Sequence, residues 1–176
     1  MWSRLKAPDQ NPASLCPPEI FARQVLVPVR FRTFEGGEGS GEIAIDEALT
    51  EDVAKLFAAM LDADFPVTSA IPVSVPRFSW DDVRSMTANN CSGFNYRTIA
   101  GTERLSYHAL GKAIDINPAL NPYFHHGIVE PPGAEYLVSR PGTIAADSFL
   151  VRLMDELGWE WGGRWKNPDY QHFQKA

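Results

Sequence analysis

No apolar run in this chain approaches the ~18 residues that a membrane span needs, so no crossing helix is read in it. It has no basic run either. The 16 Lys and Arg are outnumbered by 22 Asp and Glu, for a net charge of −6. That balance argues against a nucleic-acid partner and gives no help in docking to an anionic surface. Cysteine is scarce: Cys16 and Cys91 are the only two, and a zinc knuckle needs closely spaced pairs. They either bridge in an oxidising compartment or stay as two free thiols, the plainer reading. The first twenty residues hold no apolar h-region, so no signal peptide is read there. That leaves a leader already removed, another export route, or an internal location. No internal repeat and no splitting linker is present.

What is present is an ordinary globular composition, 44% hydrophobic and 22% charged over 176 residues, enough for one domain with a core. Residues 1–23 carry Pro8, Pro12, Pro17 and Pro18 and read as an irregular arm before a single domain over 24–176. In Gln24–Phe34, Val25, Val27, Val29, Phe31 and Thr33 alternate, which predicts a strand with one face inward. EGGEGSG (35–41) reads as a turn and Glu42–Asp46 as the returning strand. Leu49, Val53, Leu56, Phe57, Met60 and Leu61 recur at helical spacing, and Phe65-Pro66 stops that helix. Glu51 and Asp52 suit its first turn and, with Asp81 and Asp82, read as solvated surface. Residues 67–75 look extended, 81–90 a loop or short helix, and 112–116 a short β-like run. Five prolines make 117–142 a long irregular excursion, in compact domains often a functional segment. A second helix is predicted over about 143–157, with Gly158 as its C-cap. The fold class is α+β: a small antiparallel sheet with flanking helices.

Chemistry has to come from grouping, because a lone histidine is usually structural or exposed. The four histidines are His108, His125, His126 and His172. Asp115 lies between Ile114 and Ile116, where a carboxylate is costly to bury uncompensated. A divalent cation is one compensation; Arg97 or Arg104 is another. Gly111 lets the chain turn so that His108 returns to the face of Asp115. The stretch DYQH (169–172) offers His172 as a third ligand and Asp169 as a carboxylate near the metal but not on it, the position of a general base. Three protein ligands make an open, catalytic type of zinc site, and nitrogen and oxygen donors suit zinc without excluding other divalent metals. In the competing reading Asp115 is salt-bridged and His172 caps a core. His125 and His126 read mainly as exposed loop residues. Trp159, Trp161 and Trp165 either wall a peptide groove or cover the core. Gly162-Gly163 signals a close approach of backbone to ligand or chain.

SYHALGKAID, Ser106–Asp115, fits the pattern S-x-H-x-x-G-x-A-x-D at all its fixed positions. In this it resembles the zinc peptidases that comprise D-Ala-D-Ala carboxypeptidases and dipeptidases and the L-alanyl-D-glutamate endopeptidases. DYQHF is similar to that family's second motif, and SMTANNCSGFNYR, DINPALNPY and the GW-x-W-GG-x-W stretch add to the likeness. The resemblance, over roughly 25–174, implies a fold like these peptidases and the Hedgehog signalling domain. It implies one Zn2+ per chain on His108, Asp115 and His172. Asp169 is implied as catalytic acid/base, and Arg97 as the group aimed at the attacked carbonyl oxygen or at a substrate carboxylate. Ser106 is implied beside the substrate. Trp161 and Gly163 are taken as candidate substrate contacts. Asp169 stands where the dipeptidase branch carries Glu, which tilts away from that branch. The expected activity is hydrolysis of a peptide bond in the peptidoglycan stem peptide, by a D,D-carboxypeptidase or an L-Ala-D-Glu endopeptidase, acting as a monomer. The expected location is the bacterial cell envelope, the medium, or a phage lysin, although no wall-binding repeat is read. The alternative is a non-catalytic zinc-containing binding module of the same fold.

Overall fold

The computed structural model describes residues 1–99 and 101–176. Its elements in chain order are β1 (Ser3–Arg4), α1 (Pro18–Phe21), β2 (Gln24–Arg32), β3 (Glu38–Asp46), α2 (Thr50–Asp62), β4 (Ser69–Ala70), α3 (Asp82–Thr87), β5 (Asn90–Cys91), β6 (Ala113–Asp115), β7 (Tyr123–His125), β8 (Ile128–Glu130), α4 (Phe149–Glu156), β9 (Glu160–Trp161) and β10 (His172–Gln174). Helix and sheet are mixed, the α+β class. The sheet is not one unit, however. Among the described residues there are two antiparallel three-stranded sheets, β1-β2-β3 and β6-β10-β9, a parallel pair β4-β5 and a hairpin β7-β8. Strands of two or three residues, broken by proline and glycine, cannot extend into a larger sheet.

The β2-β3 hairpin follows the alternation in its sequence. Val25, Val27, Val29 and Phe31 point inward and meet Ile43 and Ile45 of β3. Its turn is shorter than the glycines suggested. Glu38–Gly41 is strand, paired with Val29–Arg32. Gly39 and Gly41 are needed there for space: a Cβ would sit 2.5 Å from the Phe31 ring at one and 2.1 Å from the Ala70 carbonyl oxygen at the other. The arm is partly ordered into the fold, since β1 pairs with β2 and Cys16 packs with Ala44 and Phe94.

Helix α2 buries Val53, Leu56, Phe57 and Met60 against the hairpin, and truncating one such side chain to alanine costs ~2–5 kcal/mol. Asp52 is not idle surface: its Oδ2 accepts from Trp159 Nε1 at 2.9 Å and from Lys175 Nζ at 2.8 Å, tying the tail to the helix. Helix α4 starts at Phe149, where its apolar spacing begins and later than the predicted bound near 143, because the Ser148 hydroxyl caps it by accepting from Val151 N. Gly158 beyond its end has φ +80°, as expected of a helix terminator.

The excursion 117–142 is held in place rather than loose. Asn121 donates to the carbonyls of Ile116, Asn117 and Gly142 and accepts from Ile144 N at 2.7 Å. Asn117 Nδ2 donates to the Pro66 and Gly142 carbonyls. Both asparagines are fully buried, so each replaces solvent for backbone groups that would otherwise be orphaned. Cys16 and Cys91 are separate free thiols, and burial pushes the Cys91 thiol up to about 12.

Candidate metal centre and catalytic cavity

His108 sits on a short 3-10 turn, Tyr107–Leu110. Ser106 opens the turn, its Oγ accepting from His108 N at 3.2 Å, and Gly111 closes it at φ +66°. Asp115 ends β6 and His172 begins β10, and the two are paired directly across the antiparallel strands. Three parts of the chain thereby converge. His108 Nε2 is 3.1 Å from Asp115 Oδ2, His172 Nδ1 is 3.0 Å from Asp115 Oδ1, and the two ring nitrogens are 3.2 Å apart. The three residues are 3%, 4% and 7% exposed.

The outer nitrogens fix how the rings present themselves. His108 Nδ1 lies 2.6 Å from the Gly93 carbonyl, which can only accept, so Nδ1 carries the hydrogen. His172 Nε2 meets Gln174 Oε1 at 3.1 Å, while Gln174 Nε2 donates to Glu160 Oε2. Both inner nitrogens are therefore lone pairs turned toward each other and toward a carboxylate. Such a cluster needs a proton or a cation among its members. Burial opposes charging His108, but Asp115 outweighs it and raises the imidazole's affinity for a proton. Burial likewise opposes ionising Asp115, yet the two histidines hold its carboxyl well below the usual range.

The residues fit a metal. Tetrahedral zinc with bonds of about 2.0–2.1 Å separates its donors by roughly 3.3 Å, close to the 3.0–3.2 Å seen here. Two neutral imidazoles and one carboxylate form a three-ligand set with room for a fourth, and both imidazoles are oriented by acceptors in the manner of metal-ligating histidines. Neither arginine takes the compensating role: among the described residues no Arg97 or Arg104 contact reaches Asp115.

The cluster forms one wall of a cavity of about 360 Å³. Asp169 also lines it, with one carboxylate oxygen buried and without a partner. Burial is the main reason that its carboxyl is pushed up to about 7. Asp115 and Asp82 add to this, and His172 and Arg97 oppose it. Arg97 lines the cavity too, and its Nη2 is 2.6 Å from Asp82 Oδ2. A wider depression of about 520 Å³ around Arg77, Phe78 and Arg84 gathers no comparable set of groups.

Residues 100–175 match the family model of D-alanyl-D-alanine carboxypeptidase. The match spans less than half of the chain but takes in His108, Asp115, Asp169 and His172. The likeness to this peptidase family supports a peptidase. No curated protein and no solved structure matches the chain.

The cavity wall corrects several expectations. Trp161 is 2% exposed, donates Nε1 to the Tyr170 carbonyl and lies in the core, and Gly163 is small because a Cβ there would meet the Trp161 ring at 2.3 Å. Neither lines the cavity; Trp165 does. Trp159 is also core. Ser106 reaches the cavity, but its hydroxyl caps the His108 turn. His125 is half-buried on the wall, stacked on Tyr123 and 3.5 Å from Glu130. Asp82 is an ion-pair partner rather than solvated surface. Gln174 was legible in principle, since residues two apart in a strand share a face; Gly93 lies within the SMTANNCSGFNYR stretch but no role was read for it, and nothing in the sequence pointed to Asp82.

Proposed function

We propose that this chain is a zinc-dependent peptidase cutting a peptide bond in the stem peptide of peptidoglycan. The observation that carries the reading is the convergence of His108, Asp115 and His172 on one wall of a cavity that Asp169 and Arg97 also line. Its C-terminal likeness to the D-alanyl-D-alanine carboxypeptidase family supports the same reading.

A divalent cation held by His108 Nε2, the Asp115 carboxylate and His172 Nδ1 would supply Lewis acidity to a peptide carbonyl and an attacking water. The other work falls to the chain. Asp169, with a carboxyl near neutrality, takes the proton of the attacking water and returns it to the leaving amine; such a group functions best when its pKa lies near the working pH. Arg97 offers a buried, unpartnered Nε–H for the oxygen that gains charge. Gly93 and Gln174 keep each imidazole in its productive tautomer. Tyr123, His125 and Trp165 wall the cavity against water and hold the peptide.

The presence of Asp169 and Arg97 on the same cavity favours an enzyme over a metal-holding module, which has no use for a buried base. Digestion of defined muropeptides with a mass readout, using protein of measured zinc content, tests the proposal. Release of stem-peptide fragments that stops on chelation is expected. Intact muropeptides with zinc-loaded protein would reject it.

A further inference from the structure

Arg97 is the only lysine or arginine lining the cavity among the described residues, and Asp82, Asp115, Glu130 and Asp169 line it as well. Its charge is already matched. Nη2 is 2.6 Å from Asp82 Oδ2, and the two side chains are 31% and 23% exposed, so solvent screens the pair only in part. Asp82 is fixed from its own side. It is the first residue of α3, whose start is capped by Asp81 accepting from Arg84 N. A peptide ending in a free carboxylate needs an unmatched cation to replace its lost hydration. Apart from the ion proposed on the three-residue cluster, which the attacked carbonyl and water take up, no side chain among the described residues lining this cavity offers one, and Glu130 would repel it.

We propose that Asp82 sets the kind of peptide the site accepts: by neutralising Arg97 it leaves no free cationic side chain for a terminal carboxylate, so the substrate chain continues past the bond that is cut. This rests on the peptidase reading above and narrows it to endo-acting cleavage. Arg97 keeps its Nε–H for the attacked carbonyl oxygen, which asks for a hydrogen bond and not for a whole unmatched cation. Asp82 is thus a positioning residue acting through Arg97.

The test uses acetyl-D-Ala-D-Ala with a free C-terminal carboxylate and the same peptide as its C-terminal amide. Both are titrated by calorimetry into chelator-treated protein, and their hydrolysis is then followed with the zinc-loaded enzyme. The wild-type chain should bind the amide at least as well as the acid. Asp82→Asn should shift the ratio toward the acid on the order of tenfold, through KM rather than kcat, and Asp82→Glu should restore the original ratio. A wild-type preference for the acid of tenfold or more would overturn the proposal, as would an Asp82→Asn ratio that does not move. A variant that loses kcat equally on both peptides marks a structural role only and also rejects it. Hydrolysis with the wrong preference sinks this proposal alone; neither peptide bound nor any muropeptide cut sinks the peptidase reading with it.

Discussion

His172 and Asp115 face each other across the β6-β10 pair, with Nδ1 of the first 3.0 Å from Oδ1 of the second. The strand register thus brings two of the three candidate ligands together without an ion. Zinc binding should therefore stabilise the fold directly, by about 2.7 kcal/mol at a hundredfold excess over Kd. Thermal unfolding with zinc and with chelator would measure this. His172→Ala and Asp115→Ala should abolish the increment, and an increment that survives both variants would mean that the ion binds elsewhere.

Asp169 should separate metal holding from turnover. Asp169→Asn is expected to keep the zinc and lose turnover by about 10²–10⁴-fold, read by metal analysis and peptide hydrolysis on one preparation. Its elevated carboxyl has a second consequence. In metal-free protein the folded state, at about 7, holds this proton more tightly than the unfolded chain does. The contribution of Asp169 to stability therefore falls as pH rises from about 4 toward 7. Urea denaturation across that range should show wild type losing ground to Asp169→Asn; parallel curves would contradict the buried, unpartnered carboxylate.

Gln174 lies outside the donor set but fixes the tautomer of His172. Gln174→Ala should weaken zinc affinity about 10–100-fold with little loss of fold stability, measured by competition with a fluorescent chelator.

Gly111 combines φ +66° with no space for a side chain: a Cβ would lie 2.0 Å from Gln24 Oε1 and 2.7 Å from the Asp46 amide nitrogen. Gly111→Ala should cost at least ~1–3 kcal/mol from the backbone conformation alone and should displace the His108 turn. Denaturant melts and zinc affinity should both suffer; an unchanged melt would show that the turn adapts.

The hairpin, helix α2 and the three residues that converge, His108, Asp115 and His172, were legible because each rests on local periodicity or on a short motif. Val25, Val27, Val29 and Phe31 alternate, and Ser106–Asp115 carries its fixed positions within ten residues. The misreadings came from residues with two physical uses. Glycine marks turns, yet Gly39 and Gly41 serve as strand positions under a ring and a carbonyl. Tryptophan serves grooves and cores alike, and Trp161 and Trp165, four residues apart, divide between them. The Asp82–Arg97 pair joins residues fifteen apart through tertiary packing, which leaves no periodic trace.

Gly93, whose carbonyl aims the His108 ring, is pressed against β3 so closely that a Cβ would come 2.2 Å from the Ala44 oxygen. It precedes the family-matching stretch that begins at residue 100. The matched segment takes the aim of its His108 ring from a residue that precedes it. Anyone transplanting the centre into another scaffold would have to carry the N-terminal hairpin along, because the C-terminal segment by itself brings the donors without the sight line that points them.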